Sequence, residues 1–187
     1  MPYAERLMAA GLSASPGGGQ GGAFFRTEIG PLNQVVCIWA RQDDAHFSRW
    51  TADLPQLAPA LSEYLVESDT RLLRPAPFMR DWVAPLRLGG VYELRTYDLV
   101  PGSEEQVFAS WATKIAERER LSPLAGCWVD TPGGNKLFHL WPYADLLERE
   151  RIRKLAVDEG VWPTDAGEHY VRQESKVLVP MPFSLLQ

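Results

Sequence analysis

Between Val91 and Leu99 the chain reads VYELRTYDL, an alternation that sets Glu93, Arg95 and Tyr97 on one side of an extended backbone and Tyr92, Leu94 and Thr96 on the other. The β-branched and aromatic content predicts a strand, closed by the turn residues Pro101 and Gly102. The period then changes. Over SEEQVFASWATKIAERE, residues 103–119, Val107, Phe108, Trp111 and Ile115 recur on one helical face, and Ser103 with Gln106 has capping-box spacing. Alternation returns in AGCWVDT and NKLFHLW, on either side of Pro132-Gly133-Gly134, which predicts a hairpin. Asp145 and Glu148 predict the start of a second helix through about Val157, and QESKVLVP a closing strand. The order strand, helix, strand, strand, helix, strand is the split βαβ, ferredoxin-like arrangement.

The same pattern occurs earlier in the chain. Asn33 and Asn135, like Trp39 and Trp141, lie 102 residues apart, while Pro75 and Pro180, like Phe78 and Phe183, lie 105 apart. RPAPF answers VPMPF. At the 105 offset Tyr3-Ala4-Glu5 stands opposite Phe108-Ala109-Ser110, so the first copy is expected to begin at its first helix, without its initial strand; a start site set too far downstream would explain the gap equally well. The repeat divides the chain into an N-terminal module, residues 1–78, a linker, residues 79–90, and a complete C-terminal module, residues 91–187. A four-stranded sheet with helices on one face leaves its other face to be covered. The expected fold is therefore α+β: tandem ferredoxin-like modules stack their sheets as a dimeric α+β barrel within one chain.

Composition narrows the function classes. The chain has 187 residues, 45% of them hydrophobic, and a formal charge of −5 with acidic and basic residues intermixed. There is no basic stripe for nucleic acid and no run of about 18 apolar residues for a membrane span. The two cysteines, Cys37 and Cys127, have neither zinc-site nor disulfide-framework spacing, and no cofactor or metal is expected. PGGGQGG lacks the Lys-Ser/Thr that would make a phosphate loop. The N-terminal residues show no secretory signal, which makes a cytoplasmic location the expectation.

Several stretches together, YELRTYDLVPG, SPLAGCWVDT, GGNKLFHLWPY, ERERIRKL, QESKVLVPMPFS and FFRTEIGPLNQVVCIW, resemble the NIPSNAP family over nearly the whole chain. The resemblance implies a dimeric α+β barrel and no established reaction; eukaryotic relatives are linked to mitochondria, vesicle traffic and partner recruitment. Two features depart from the family pattern, the absent first strand of the first copy and Cys37 in place of the usual histidine. Both point to the C-terminal module as the one that carries a site.

The polar residues of that module leave two main readings, with metal or haem ligation behind them because a single histidine is thin support for it. Asn135, His139 and Trp141 share a strand parity, as do Glu93, Arg95 and Tyr97. On one reading His139 is a core histidine satisfied by a neighbour, Trp141 is packing and Arg95 makes a structural ion pair. On the other these residues line a pocket for a small, aromatic molecule, with His139 as the candidate catalytic group because an ordinary imidazole exchanges a proton near neutral pH. LLERERIRKL reads as a solvated helix whose charges pair along its surface. By analogy with similar barrels the pocket reading brings cofactor-free oxygenase or isomerase chemistry. The alternative is a scaffold that recruits a protein partner, and further homo-oligomerisation is compatible with both.

Overall fold

The computed structural model describes residues 22–39, 66–82 and 86–187. The expected N-terminal helix and the PGGGQGG connection lie outside these residues, apart from Gly22. Among the described residues seven strands, β1 (Ala23–Ile29), β2 (Val35–Ile38), β3 (Leu72–Pro75), β4 (Val91–Leu99), β5 (Gly126–Thr131), β6 (Lys136–Tyr143) and β7 (Tyr170–Pro180), form one sheet in the order β2-β1-β7-β4-β6-β5-β3. Every pairing is antiparallel. The C-terminal four strands stand in the order β7-β4-β6-β5, with α1 (Glu104–Ala112) and α2 (Ile115–Glu119) between β4 and β5, and α3 (Leu146–Asp158) and a 3-10 turn (Asp165–His169) between β6 and β7. This is the split βαβ strand order that the alternation predicts.

The N-terminal half joins this sheet at both ends. β1 pairs with β7, setting Phe25 opposite Pro180, Arg26 opposite Val179 and Thr27 opposite Leu178. β3 pairs with β5, setting Pro75 opposite Trp128, Arg74 opposite Val129 and Leu73 opposite Asp130. The halves thus meet edge to edge in one sheet, in place of two separate sheets laid face to face. The two hairpins also match in register: Phe24 faces Cys37 as Cys127 faces His139.

Strand parity sends alternate side chains to opposite faces, and the two faces carry different cores. One face of all seven strands contributes to a single cluster that includes Phe25, Tyr92, Leu94, Trp128, Leu140 and Leu178, with Val36 and Leu73 packed against it. A sheet can present one face to one cluster in this way only by curling. From the connection after β3, Met79, Trp82, Leu86 and Leu88 pack into the same cluster, and the Trp82 indole N–H donates to the Ala125 carbonyl at 2.7 Å. Gly126 is required here, because a Cβ at this position would fall 1.8 Å from the Trp128 ring.

The opposite face of the C-terminal strands packs under the helices through Tyr97, Leu99, Cys127, Val129, Leu137, Trp141 and Tyr143, against Val107, Phe108, Trp111 and Ile115. These are the four positions that the helical period aligns. The expected single helix is interrupted at Thr113 and Lys114, and the capping box does not form: the Ser103 hydroxyl donates to the Val100 carbonyl. At α3 the cap does form, with the Asp145 side chain accepting from the Glu148 N–H at 2.8 Å. Among the described residues no helix is long and apolar enough to cross a membrane.

Candidate functional site

Three strands of the helix-covered face build the polar cluster. β4 supplies Glu93, Arg95 and Tyr97; β6 supplies His139 and Trp141, with Arg95 directly opposite His139 and Glu93 opposite Trp141; β7 places Ser175 opposite Arg95. The register therefore gathers five of the six sequence-identified residues. Asn135 stands apart. The β5–β6 turn extends through it, β6 begins at Lys136, and Asn135 is exposed, its carbonyl accepting from the Leu99 N–H. Asn33, 102 residues earlier, is a turn residue, at φ 60°. Strand parity does not govern a residue outside the strand.

Glu93 is the anionic centre of the cluster and only 1% exposed. Its carboxylate accepts from Arg149 at 2.6 Å, from Arg153 at 3.0 and 3.1 Å and from the Ser175 hydroxyl at 2.7 Å. Burial alone would raise its pKa. The bonds from Arg149 and Ser175 and the charges of Arg153 and Arg149 outweigh burial and hold the carboxyl at about 2. Arg149 and Arg153 correct the reading of α3 as a wholly solvated helix. Four residues apart, they lie on the same helical face and turn toward the sheet, whereas Arg151 pairs with Glu148 at the surface. That spacing was the available signal, hidden by Glu148 and Glu150, which alternate with Arg149 and Arg151.

His139 is 1% exposed and enclosed by rings: Tyr97 at 4.8 Å and Trp111 at 4.9 Å between centroids, both edge-on. The indole N–H of Trp141 donates to His139 Nδ1 at 2.7 Å. With Nδ1 an acceptor, the proton of the neutral ring is on Nε2, and that nitrogen has no hydrogen-bond partner among the described residues. Burial, followed by the charge of Arg95, pushes the imidazole well below its usual value. His139 is therefore neutral at pH 7, a donor from Nε2 with Nδ1 already engaged. This differs from the proton exchanger near neutral pH that its residue type suggests.

The remaining walls are cationic and aromatic. Arg118, 3% exposed, lies 4.2 Å from the Trp141 ring centroid and donates to the Tyr143 hydroxyl and the Ser122 carbonyl. Arg95 stands 5.1 Å from the Tyr97 ring centroid, and burial pushes that phenol up to about 12, with Arg95 opposing. Trp162 adds an edge contact to Trp111 at 4.7 Å, and the Trp111 N–H donates to the Tyr170 hydroxyl. Among the described residues no group of three or more His, Cys, Asp or Glu side chains is arranged to hold a metal ion. A separate open groove of about 370 Å³, lined by Arg74, Phe78, Glu104 and Phe108 among others, includes none of the cluster.

The counterpart position in the N-terminal half is apolar. Cys37 packs with Phe24, Trp39, Met181 and Phe183, and burial pushes its thiol up to about 12. A thiol held protonated among aromatic rings fills space.

Residues 92–185 match the NIPSNAP family model. A NipSnap homolog from Dictyostelium discoideum is 31% identical over 164 residues, covering 83% of this chain and 72% of the relative. NipSnap homolog 1 from Danio rerio is 30% identical over 183 residues, 82% of this chain and 64% of the relative. A solved structure of a candidate monooxygenase from Lactobacillus acidophilus superposes with a TM-score of 0.56 over 96% of this chain and 84% of its own, at 12% identity, a likeness of fold alone. The family model, covering half of the chain, and the Dictyostelium relative, matched over most of both chains, establish that this chain belongs to the NIPSNAP family.

Proposed function

We propose that this NIPSNAP-family chain binds a small molecule between the sheet and helices of its C-terminal half, with Glu93, Arg95, Tyr97, His139 and Trp141 as the polar lining. The observation that carries the reading is the buried Nε2 of His139, a donor with no acceptor among the described residues. Such a group costs about 1–3 kcal/mol if left unmade, and a bound oxygen atom removes that cost. In an isomerase or cofactor-free oxygenase the same donor would stabilise the oxyanion of an enolate, a task suited to a neutral imidazole. The candidate monooxygenase of similar fold supports that chemistry by analogy only.

The tandem arrangement belongs to the same proposal. Matched hairpin registers and matched joints, Phe25 with Pro180 and Pro75 with Trp128, support two ferredoxin-like halves related by a pseudo-twofold axis. On this reading the N-terminal half carries the apolar version of the site.

A second reading, recruitment of a protein partner, draws on the exposed apolar residues Ile29, Leu32 and Val35 around the β1–β2 turn. The two separate in one experiment. Protein purified from its natural source is denatured and the released small molecules are identified by mass spectrometry, for the wild type and for His139→Phe. A compound released by the wild type and absent from His139→Phe is expected. Release of no compound, or of the same compound from both, overturns the small-molecule reading.

A further inference from the structure

Three nitrogens of the cluster, His139 Nε2, Arg95 Nε and Arg149 Nε, are buried and have no hydrogen-bond partner among the described residues. All three are donors. The two arginines are permanently protonated, and the His139 proton is placed on Nε2 by the Trp141 bond to Nδ1. What is missing is therefore an acceptor.

The charges give the acceptor its sign. Four guanidinium groups, Arg95, Arg118, Arg149 and Arg153, stand around one carboxylate, Glu93, whose oxygens already accept from Arg149, Arg153 and Ser175. Arg95 reaches Glu93 only at 4.0 Å, and every contact of Arg118 described above is to a neutral group. Of the acids at α3, Asp145 accepts at the helix cap, Glu148 pairs with Arg151 and accepts from the Ala144 N–H, Asp158 pairs with Lys154, and Glu150 is exposed on the outer surface. Arg118 is buried, while Arg95 and Arg149 are half-buried and Arg153 keeps 39% of its side chain exposed, so the cluster is a partly buried excess of cations that a further anion would balance. The rings of Tyr97, Trp111 and Trp141 around His139 supply an apolar surface that inorganic phosphate has no means of using.

We propose that the cluster binds a small aromatic carboxylate, its oxygens accepting from Arg95 and Arg149 and from His139 Nε2, and its ring lying among the aromatic side chains. The proposal rests on the small-molecule reading above and adds the charge and class of the ligand. In chemical terms the site selects an acid over its amide, because the amide carries no charge and brings N–H donors to a site that lacks acceptors.

Saturation-transfer NMR and titration of the full chain with benzoate, phenylacetate and salicylate, each beside its amide and beside inorganic phosphate, test this. At least one acid is expected to bind ten-fold or more tightly than its amide and than phosphate, and to lose about ten-fold in Arg95→Gln while the amide is unaffected. Should Arg95→Gln fail to fold, wild-type salt dependence decides: acid affinity falls as salt rises from about 50 to 200 mM. Equal binding of acids and amides, or acid binding insensitive to salt, removes the carboxylate and leaves the small-molecule reading intact. Phosphate binding as tightly as the acids removes the aromatic class. Absence of binding by all of them overturns this proposal; the mass-spectrometric comparison judges the broader reading on its own.

Discussion

The Trp141 indole N–H donates to His139 Nδ1 at 2.7 Å, two residues along the same face of β6. This bond fixes which ring nitrogen carries the proton and so converts a residue type associated with proton exchange into a hydrogen-bond donor. Long-range ¹H–¹⁵N spectra are expected to show His139 protonated at Nε2 and bare at Nδ1, without titration between about pH 5 and 8. Trp141→Phe removes the donor and is expected to mix the two tautomers. A His139 resonance that titrates near 6.5 in the wild type contradicts the assignment.

Acid should destabilise the fold in two stages. The folded pKa of His139 lies below its unfolded value, so the unfolded state takes up a proton first and stability declines as pH falls below about 6.5. The Glu93 carboxyl is depressed to about 2, so its contribution is full above its unfolded value and is lost as pH falls through the window from about 4.5 to 2. That contribution is on the order of 3 kcal/mol. Denaturant melts of Glu93→Gln are expected to show a loss of about 3–5 kcal/mol at pH 7 and a flattened acid limb. An unchanged acid limb assigns the pH dependence to other groups.

The matched joints predict how half a chain behaves. A fragment of residues 91–187 exposes the edges of β5 and β7, which in the full chain pair with β3 and β1, and loses Phe25 and Leu73 from the inner core. Because the two joints share one register, the fragment is expected to pair β5 with β7 of a second copy and sediment as a dimer. A stable monomeric fragment overturns the tandem arrangement.

His139→Ala and Cys37→Ala compare the two halves directly. Both remove a strand side chain in register-equivalent pairs, facing Cys127 and Phe24 respectively. Only His139→Ala is expected to abolish ligand binding, by ten-fold or more, once both variants are shown to fold by thermal melt. Equal losses return His139 to core packing.

The strands of the C-terminal half and the shared face of Glu93, Arg95 and Tyr97 were legible in the sequence because a period of two survives in VYELRTYDL with no Gly or Pro to break it. Asn135 was misplaced because a parity argument does not locate where a turn ends and a strand begins. Arg149 and Arg153 were missed for a different reason: a helix rich in alternating charge looks solvated from its own residues, and only the carboxylate of Glu93, 56 and 60 residues away, turns two of its arginines inward. The neutral state of His139 depends on Trp141 geometry and Arg95 proximity, which residue identity does not encode. The offsets of 102 and 105 residues carry no information on how the two halves join; that follows from the pairing of β1 with β7 and β3 with β5, contacts set by long-range register.

The central claim is that the buried donor of His139 faces a bound molecule, and a high-resolution crystal structure of protein purified from its natural source tests it most directly. The account predicts density larger than a water beside Nε2, with an oxygen at hydrogen-bond distance from it and from Arg95. A ring packed on that side by carbon atoms, or capped by a single water, contradicts it.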